Sequence, residues 1–177
     1  MAVLLAAAVS CGLLLLCGAA VHDMAARTVP NRLAAAVAGC GLVAQFANGD
    51  LMWSILAALA VFVTAAFMWR RGWMGGGDVK LLGAAALLAP AASVPAMLAA
   101  TALAGGALAL PYAIARRRLK PPRGARPPNL LARAWRAERW RLGRGGPMPY
   151  AVAIACGTIF VLAPSLSLPL LGTGVLP

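Results

Sequence analysis

Acidic residues are scarce in this chain of 177 residues. Only four are Asp or Glu, against 16 Lys and Arg, and charged residues make up 11% of the sequence. Soluble domains carry about 25% charged residues, so the composition excludes an ordinary soluble domain. Hydrophobic residues instead reach 62%, with a mean hydropathy of +0.84. The composition predicts a polytopic membrane protein, because one span needs only about 20 apolar residues.

Metal ligands and disulfide signals are also scarce. His22 is the single histidine, which excludes a site built from several histidines of one chain. The four cysteines lie inside apolar runs without a C-x-x-C pair, as small buried hydrophobic residues do; they are Cys11, Cys17, Cys40 and Cys156. We therefore expect no metal and no cofactor.

The apolar runs predict an all-α protein with about six transmembrane helices in one membrane-embedded domain, residues 1–177. The fourth and fifth runs are continuous in hydropathy, but Pro90 and Pro95 mark a break between them. The expected spans are Val3–Val21, Leu33–Phe46, Leu51–Met68, Val79–Ala89, Ala96–Ala115 and one from Pro149 to Leu162.

The basic residues predict the orientation of these spans. Every Lys and Arg falls in the first, third or fifth loop when Lys80, the second residue of the fourth span, is counted with the third loop, and the fifth loop, about residues 116–148, is the most basic. By the positive-inside rule these loops are cytoplasmic and both termini lie outside. The net charge of +12 then indicates contact with anionic lipid head groups rather than nucleic acid. An interfacial amphipathic helix is expected over Asn129–Leu142.

Two carboxylates fall on the same side in this topology. Asp23 follows the first span and Asp78 precedes the fourth, whereas Asp50 lies on the opposite face and Glu138 lies in the basic loop. Two carboxylates held close together share one proton, which suits general acid and base work on an amide. The same residues could instead pair with Arg27 or Lys80 and only set the topology, and physical argument alone leaves both interpretations open.

The segments next to these two aspartates have distinctive local signals. Glycine tolerates positive φ and close backbone approach, so Gly75–Gly77 predicts an irregular helix start that lets Asp78 bend towards Asp23. Pro30 disfavours helix at Val29, and Asn31 is then expected to be the N-cap of the second helix.

Three motifs resemble those of the type IV prepilin leader peptidases. Gly75–Asp78 is similar to the G-x-G-D pattern of intramembrane aspartyl proteases, and the following Val79–Leu81 resembles the prepilin peptidase version. Asp23–Asn31 resembles the first aspartate motif of this family, D-x-x-x-R-x-I/V-P-N. Pro147–Ala151 resembles its C-terminal motif. The resemblance covers roughly Val3 to Leu162.

The resemblance implies an intramembrane aspartyl endopeptidase with Asp23 and Asp78 as catalytic residues. It implies active-site support from Gly75, Gly77, Lys80, Arg27, Pro30 and Asn31. The expected substrate is a prepilin that enters from the membrane and loses a short basic leader, cut after a glycine and before its hydrophobic helix. The location implied is the cytoplasmic (inner) membrane, with the site on the cytoplasmic side.

No stretch resembles the cysteine-bearing domain of the long, bifunctional family members. The similarity is therefore to the short form associated with Flp or tight-adherence pili, and N-methylation of the pilin is not implied. Two alternatives remain at this point: a non-proteolytic membrane scaffold or transporter, and a G-x-G-D protease with a different substrate. A transporter usually shows internal repeats and polar residues near the midplane, and neither is evident in this sequence.

Overall fold

The computed structural model describes residues 1–118, 129, 136, 140 and 148–171, and within these residues the regular structure is entirely helical. The all-α class is thus confirmed for this part of the chain. The elements are α1 (Ala2–Ala26), α2 (Asn31–Asn48), α3 (Leu51–Arg70), α4 (Gly76–Leu88), a 3-10 helix (Ala91–Ser93), α5 (Val94–Arg118) and α6 (Tyr150–Leu171). The amphipathic helix expected over Asn129–Leu142 and most of the basic loop lie outside the described residues.

Three of the described helical segments are long and apolar enough to cross a membrane. They are Ala2–Ala26, Leu51–Arg70 and Ala91–Ala115, and Tyr150–Pro164 is a shorter apolar helix. With 13 residues, α4 is about 20 Å long and shorter than the roughly 30 Å hydrocarbon core of a bilayer. These lengths agree with a membrane protein, whereas the count of six spans and the side of the termini stay predictions.

The first helix is longer than the sequence suggested. The first span was expected to end at Val21, but α1 continues to Ala26 because residues 22–26 contain neither proline nor glycine. It ends at Arg27, whose left-handed backbone (φ 58°, ψ 32°) lets its N–H donate to the Asp23 carbonyl at 2.8 Å. Asp23 therefore sits on a helix rather than in a loop, which holds its side chain in one direction.

The expected cap of α2 is wrong. The helix begins at Asn31 itself, and Pro30 occupies the N-cap position with extended backbone (φ −61°, ψ 137°). Proline is well suited to a helix start, because its missing N–H would have no partner there. The side chain of Asn31 is thereby free to face a neighbouring helix.

The break between the fourth and fifth apolar runs lies where the prolines indicated. α4 ends at Leu88, and α5 begins at Val94 after the short 3-10 helix. At its other end α5 continues three residues past Ala115 to Arg118, so the beginning of the basic segment is helical.

The short helix α4 forms the centre of the bundle. Most of its residues are buried, namely Val79, Leu81, Leu82, Gly83, Ala84, Ala85, Ala86 and Leu88. α2 and α3 pack along it and α6 adds a smaller contact, while α1 packs against both α2 and α6, and α5 packs on α6. α2 and α3 barely touch each other, so a gap lies between them with α4 at its base.

The C-terminal end of α4 is held by polar side chains from its neighbours. The buried Gln45 donates from Nε2 to the Leu88 carbonyl at 2.9 Å. Asp50 Oδ2 accepts hydrogen bonds from the Ala91 N–H at 3.2 Å and from Ser54 Oγ at 3.4 Å. Asp50 thus stabilises the end of α4 that is remote from Asp78, since these two acids lie near opposite ends of the helix.

Close helix contact depends on glycine at one position of α2. A Cβ on Gly41 would lie 2.8–2.9 Å from backbone atoms of Leu87 and Leu88, which cannot move aside as a side chain can. Gly39, two residues earlier in the same helix, has open space at its Cβ position. Contact between α2 and the central helix therefore requires glycine at 41 and not at 39.

We expect Gly41→Ala to destabilise the protein by about 1–3 kcal/mol, the usual cost of overpacking. Gly39→Ala is the matched control and should be neutral or stabilising by roughly 0.5–1 kcal/mol, because alanine is the better helix former. Thermal unfolding midpoints in detergent measure both. Equal midpoints for the two variants would contradict this packing.

Candidate active site

The first carboxylate is fixed by the end of α1. Asp23 is buried, with 6% of its surface exposed. The segment that follows turns back at Arg27 and is closed by a hydrogen bond of 2.8 Å between His22 Nδ1 and the Thr28 carbonyl. His22 thus has a structural contact in the loop and does not line the cavity described below.

The second carboxylate lies in the first turn of α4. The Asp78 N–H donates to the Gly75 carbonyl at 3.1 Å, and Gly75 at the N-cap has an extended backbone (φ −72°, ψ 143°). Among the described glycines only Gly49 and Gly72 have positive φ. Of the two glycine properties considered for Gly75–Gly77, positive φ is therefore not used.

Space, not backbone conformation, is what the glycines of the G-x-G-D motif provide. A Cβ on Gly75 would lie 2.9 Å from Asp78 Oδ2, in the way of the carboxylate. A Cβ on Gly77 would lie 3.3 Å from Cβ of Val29, the buried residue between Asp23 and α2. The glycines therefore let the start of α4 approach the segment that follows Asp23.

Both aspartates line one cavity of about 330 Å³. It is formed by the end of α1, the α1–α2 segment, the start of α4 and the residue two positions before α6. Its lining residues are Asp23, Arg27, Thr28, Val29, Gly75, Gly76, Gly77, Asp78, Lys80 and Met148. Residues 55 positions apart in the sequence thus meet at one end of the bundle.

The environment of Asp78 favours its protonated form. The pKa of Asp78 is raised from 3.8 to about 6, first by burial and then by the nearby Asp23 carboxylate, while a backbone hydrogen bond at Gly75 opposes the shift. A carboxyl with such a pKa holds its proton in part near neutral pH, which suits a group that must donate and accept protons.

The two cations of the motifs have partners outside the carboxylate pair. Lys80 Nζ donates to Asn31 Oδ1 at 2.8 Å and so joins α4 to α2. Arg27 Nη2 donates to Tyr112 Oη at 3.4 Å, with the guanidinium 5.9 Å from the ring centroid of Tyr112. These contacts connect the rim of the cavity to α2 and α5.

The structure separates the residues expected to support the site into two groups. Arg27, Gly75, Gly77 and Lys80 line the cavity, whereas Pro30 and Asn31 do not. Pro30 is the N-cap of α2, and Asn31 accepts a hydrogen bond from the cavity residue Lys80.

Sequence reasoning missed some residues near the carboxylates. Thr28 and Met148 line the cavity, and Tyr150 lies close enough to Asp78 for an electrostatic interaction. Tyr112, the partner of Arg27, was also missed. The available signal for Met148 and Tyr150 was the Pro147–Ala151 motif, which contains both, and the signal for Tyr112 was a phenol within an apolar run. In the part of the chain that the structure describes, no three His, Cys, Asp or Glu side chains form a metal-binding group.

Comparison with known protein families shows which family the chain belongs to. The type IV leader peptidase family matches residues 8–110, more than half of the chain. The chain belongs to the type IV leader peptidase family. The matched region contains both Asp23 and Asp78 and ends before Pro147–Ala151. No curated protein and no solved structure matches the chain. As a member of this peptidase family, the chain is a hydrolase whose candidate site lies at one end of an apolar helical bundle.

We expect Asp78→Asn to become more stable relative to the wild type as the pH rises. Because the pKa of Asp78 in the folded protein is raised from 3.8 to about 6, protonation favours the fold, and that advantage is lost as pH increases through about 6. Asparagine stays neutral, so the difference in unfolding midpoint should be smallest near pH 4, grow up to about 6 and then level off.

Asp50→Asn is the control for this pH series, and thermal unfolding in detergent is the measurement. Asp50 accepts two hydrogen bonds from its neighbours, so its replacement should not increase stability at any pH. A difference between Asp78→Asn and wild type that does not change with pH would show that Asp78 is not held in a site that favours its proton.

Proposed function

We propose that this family member is an intramembrane aspartyl endopeptidase that removes the short basic leader from type IV prepilins of the Flp or tight-adherence kind. One observation carries the proposal: carboxylates from two separate helices line one small cavity, and burial together with Asp23 raises the pKa of Asp78. A buried carboxyl next to a second carboxylate is the arrangement with which a pair of aspartates hydrolyses amides.

The proposed reaction uses the pair with one proton between them. The ionised carboxylate accepts a proton from water, and the resulting oxygen nucleophile adds to the carbonyl carbon of the scissile peptide bond. The protonated carboxyl donates a hydrogen bond to the carbonyl oxygen, which stabilises the charge that develops there. A proton then passes to the leaving nitrogen, the C–N bond breaks, and the products are a new carboxylate and a new amine.

The distribution of basic residues indicates the side of the membrane from which the substrate leader approaches. The basic leader is expected on the cytoplasmic side of the inner membrane, where the first and third loops place Asp23 and Asp78. Arg27 and Lys80 line the cavity and donate hydrogen bonds to Tyr112 and Asn31. We further propose that the basic segment after α5 contacts anionic lipid head groups.

The placement of the acids favours this function over a scaffold or transporter. Asp23 and Asp78 are at one end of the bundle in a shared cavity, and Asp50 is bound to backbone and side-chain donors at the other end. A G-x-G-D protease with another substrate would use the same pair, and family membership favours a leader peptide as the substrate.

We expect Asp23→Asn and Asp78→Asn each to reduce prepilin cleavage by about 10²–10⁴-fold, because either change removes a proton-transfer group. The measurement is cleavage of a co-expressed candidate prepilin, with equal membrane insertion verified for each variant. Asp50→Asn is the matched control and should retain cleavage, since Asp50 is remote from the cavity. Cleavage at the wild-type rate by either of the first two variants would refute the two-carboxylate mechanism.

We also expect Gly77→Leu to reduce cleavage more than insertion. The new side chain would push against Val29 and separate the segments that carry the two carboxylates, and a displacement of about 1 Å can cost roughly a hundredfold in rate. Gly18→Leu is the control, because its Cβ position in α1 has open space. Normal cleavage by Gly77→Leu would show that this close approach is not needed.

A further inference from the structure

A second, larger hollow lies between α2 and α3. Its volume is about 540 Å³, and its floor is the central helix α4. We call it the α2–α3 groove; its lining residues are Asn31, Ala34, Ala35, Ala38 and Leu42 from α2, Ile55, Ala58, Leu59 and Phe62 from α3, and Lys80, Gly83, Ala84 and Leu87 from α4. The groove exists because α2 and α3 both pack on α4 but barely touch each other.

The lining residues follow the helical repeat on all three helices. On each helix they recur at intervals of three and four residues, which is the spacing of a single helix face. The groove therefore runs along the helix axes, and its α2 side from Asn31 to Leu42 extends for roughly 16 Å. A groove with this direction and length fits an elongated molecule that lies parallel to the helices of the bundle.

The floor and the rims of the groove differ in side-chain size. Ala34, Ala58 and Ala84, one from each helix, are buried and small, whereas Leu59 and Phe62 on the rim are large and exposed. At the centre Phe62 lies against Gly83, whose added Cβ would come within 3.1 Å of the ring. Small residues allow two helix backbones to approach closely in a membrane, and the large rim residues supply apolar contact to an occupant.

One end of the groove meets the catalytic cavity. Lys80 lines both hollows, and its hydrogen bond to Asn31 lies at their junction. Beyond this polar pair the groove wall is apolar throughout. The groove therefore fits an occupant that is apolar along its length, with polar groups only at the end near Asp78.

We propose that the α2–α3 groove binds the apolar helix of the substrate and sets where the peptide bond enters the catalytic cavity. This inference rests on the function proposed above and names the surface that recognises the substrate. With the helix in the groove, the chain that precedes it passes Lys80 and Asn31 and reaches Asp23 and Asp78. The position of the helix in the groove then determines which peptide bond lies beside Asp23 and Asp78.

The first test separates helix recognition from chemistry. Ala38→Phe fills the groove, and Ala36→Phe places the same side chain on an exposed position of α2 outside it. With a full-length prepilin we expect Ala38→Phe to raise KM at least tenfold with kcat near wild type, and Ala36→Phe to change neither more than twofold. With a short peptide that has the leader and scissile bond but no apolar helix, all three proteins should cleave equally.

The second test does not require cleavage. A photoreactive amino acid at Leu59, on the groove rim, or at Ala60, exposed on α3 outside the groove, is introduced into Asp78→Asn. After irradiation with prepilin in membranes of defined phospholipid, we expect an adduct with prepilin from position 59 and little from position 60.

The outcomes distinguish the two proposals. If wild type cleaves prepilin while Ala38→Phe behaves as wild type and position 59 gives no prepilin adduct, the groove proposal is overturned and the peptidase proposal stands. An adduct of position 59 with phospholipid alone would also overturn it, since the groove would then hold a lipid chain. If wild type cleaves no prepilin, the function proposal fails, and the crosslink still decides whether the groove binds an apolar helix.

Discussion

The burial of α4 is the constraint on which the site depends. This helix is too short to span a bilayer alone, and it is held by α2, α3 and α6 along its sides and by Gln45 at its C-terminal end. Its first turn therefore cannot shift far, and Asp78 is held in the same cavity as Asp23. Burial raises the pKa of Asp78, and the nearby Asp23 carboxylate adds to the shift because two ionised carboxylates would repel each other. The chemical property of the site thus follows from how the central helix is packed.

Small residues make this packing possible and also shape the surface around it. Gly41 lets α2 contact the backbone of α4, and Gly75 and Gly77 leave room for the Asp78 carboxylate and for Val29. In a membrane, where lipid is as apolar as the side chains, close backbone approach is a main source of helix association. The same use of small residues lines the α2–α3 groove with alanine side chains. The cavity at Asp23 and Asp78 and the α2–α3 groove are therefore two results of one packing arrangement, joined at Lys80.

Acidic residues are few, and the three that the structure describes have different environments. Asp50 accepts hydrogen bonds from a backbone N–H and a serine hydroxyl where α4 ends, so it stabilises the fold. Asp23 and Asp78 instead share a cavity whose cations are engaged with Asn31 and Tyr112. A carboxylate can be structural or reactive in one small protein, and its neighbours decide which. Family membership agrees with the second role for Asp23 and Asp78, because the matched region includes both.

The sequence by itself determined the helical class, the break at Pro90 and the two acidic motifs, because these depend on hydropathy and on local backbone chemistry. It also placed Asp23 and Asp78 near one end of the bundle through the distribution of charge. Only the tertiary structure decided that α1 continues past Asp23, that Gly75–Gly77 provides space rather than positive φ, and that Asn31 bonds Lys80 instead of capping α2. It likewise revealed Thr28, Met148 and Tyr112 near the site, and the groove along α4. These features depend on which surfaces meet, and residues distant in sequence acquire shared burial and charge only when the helices pack.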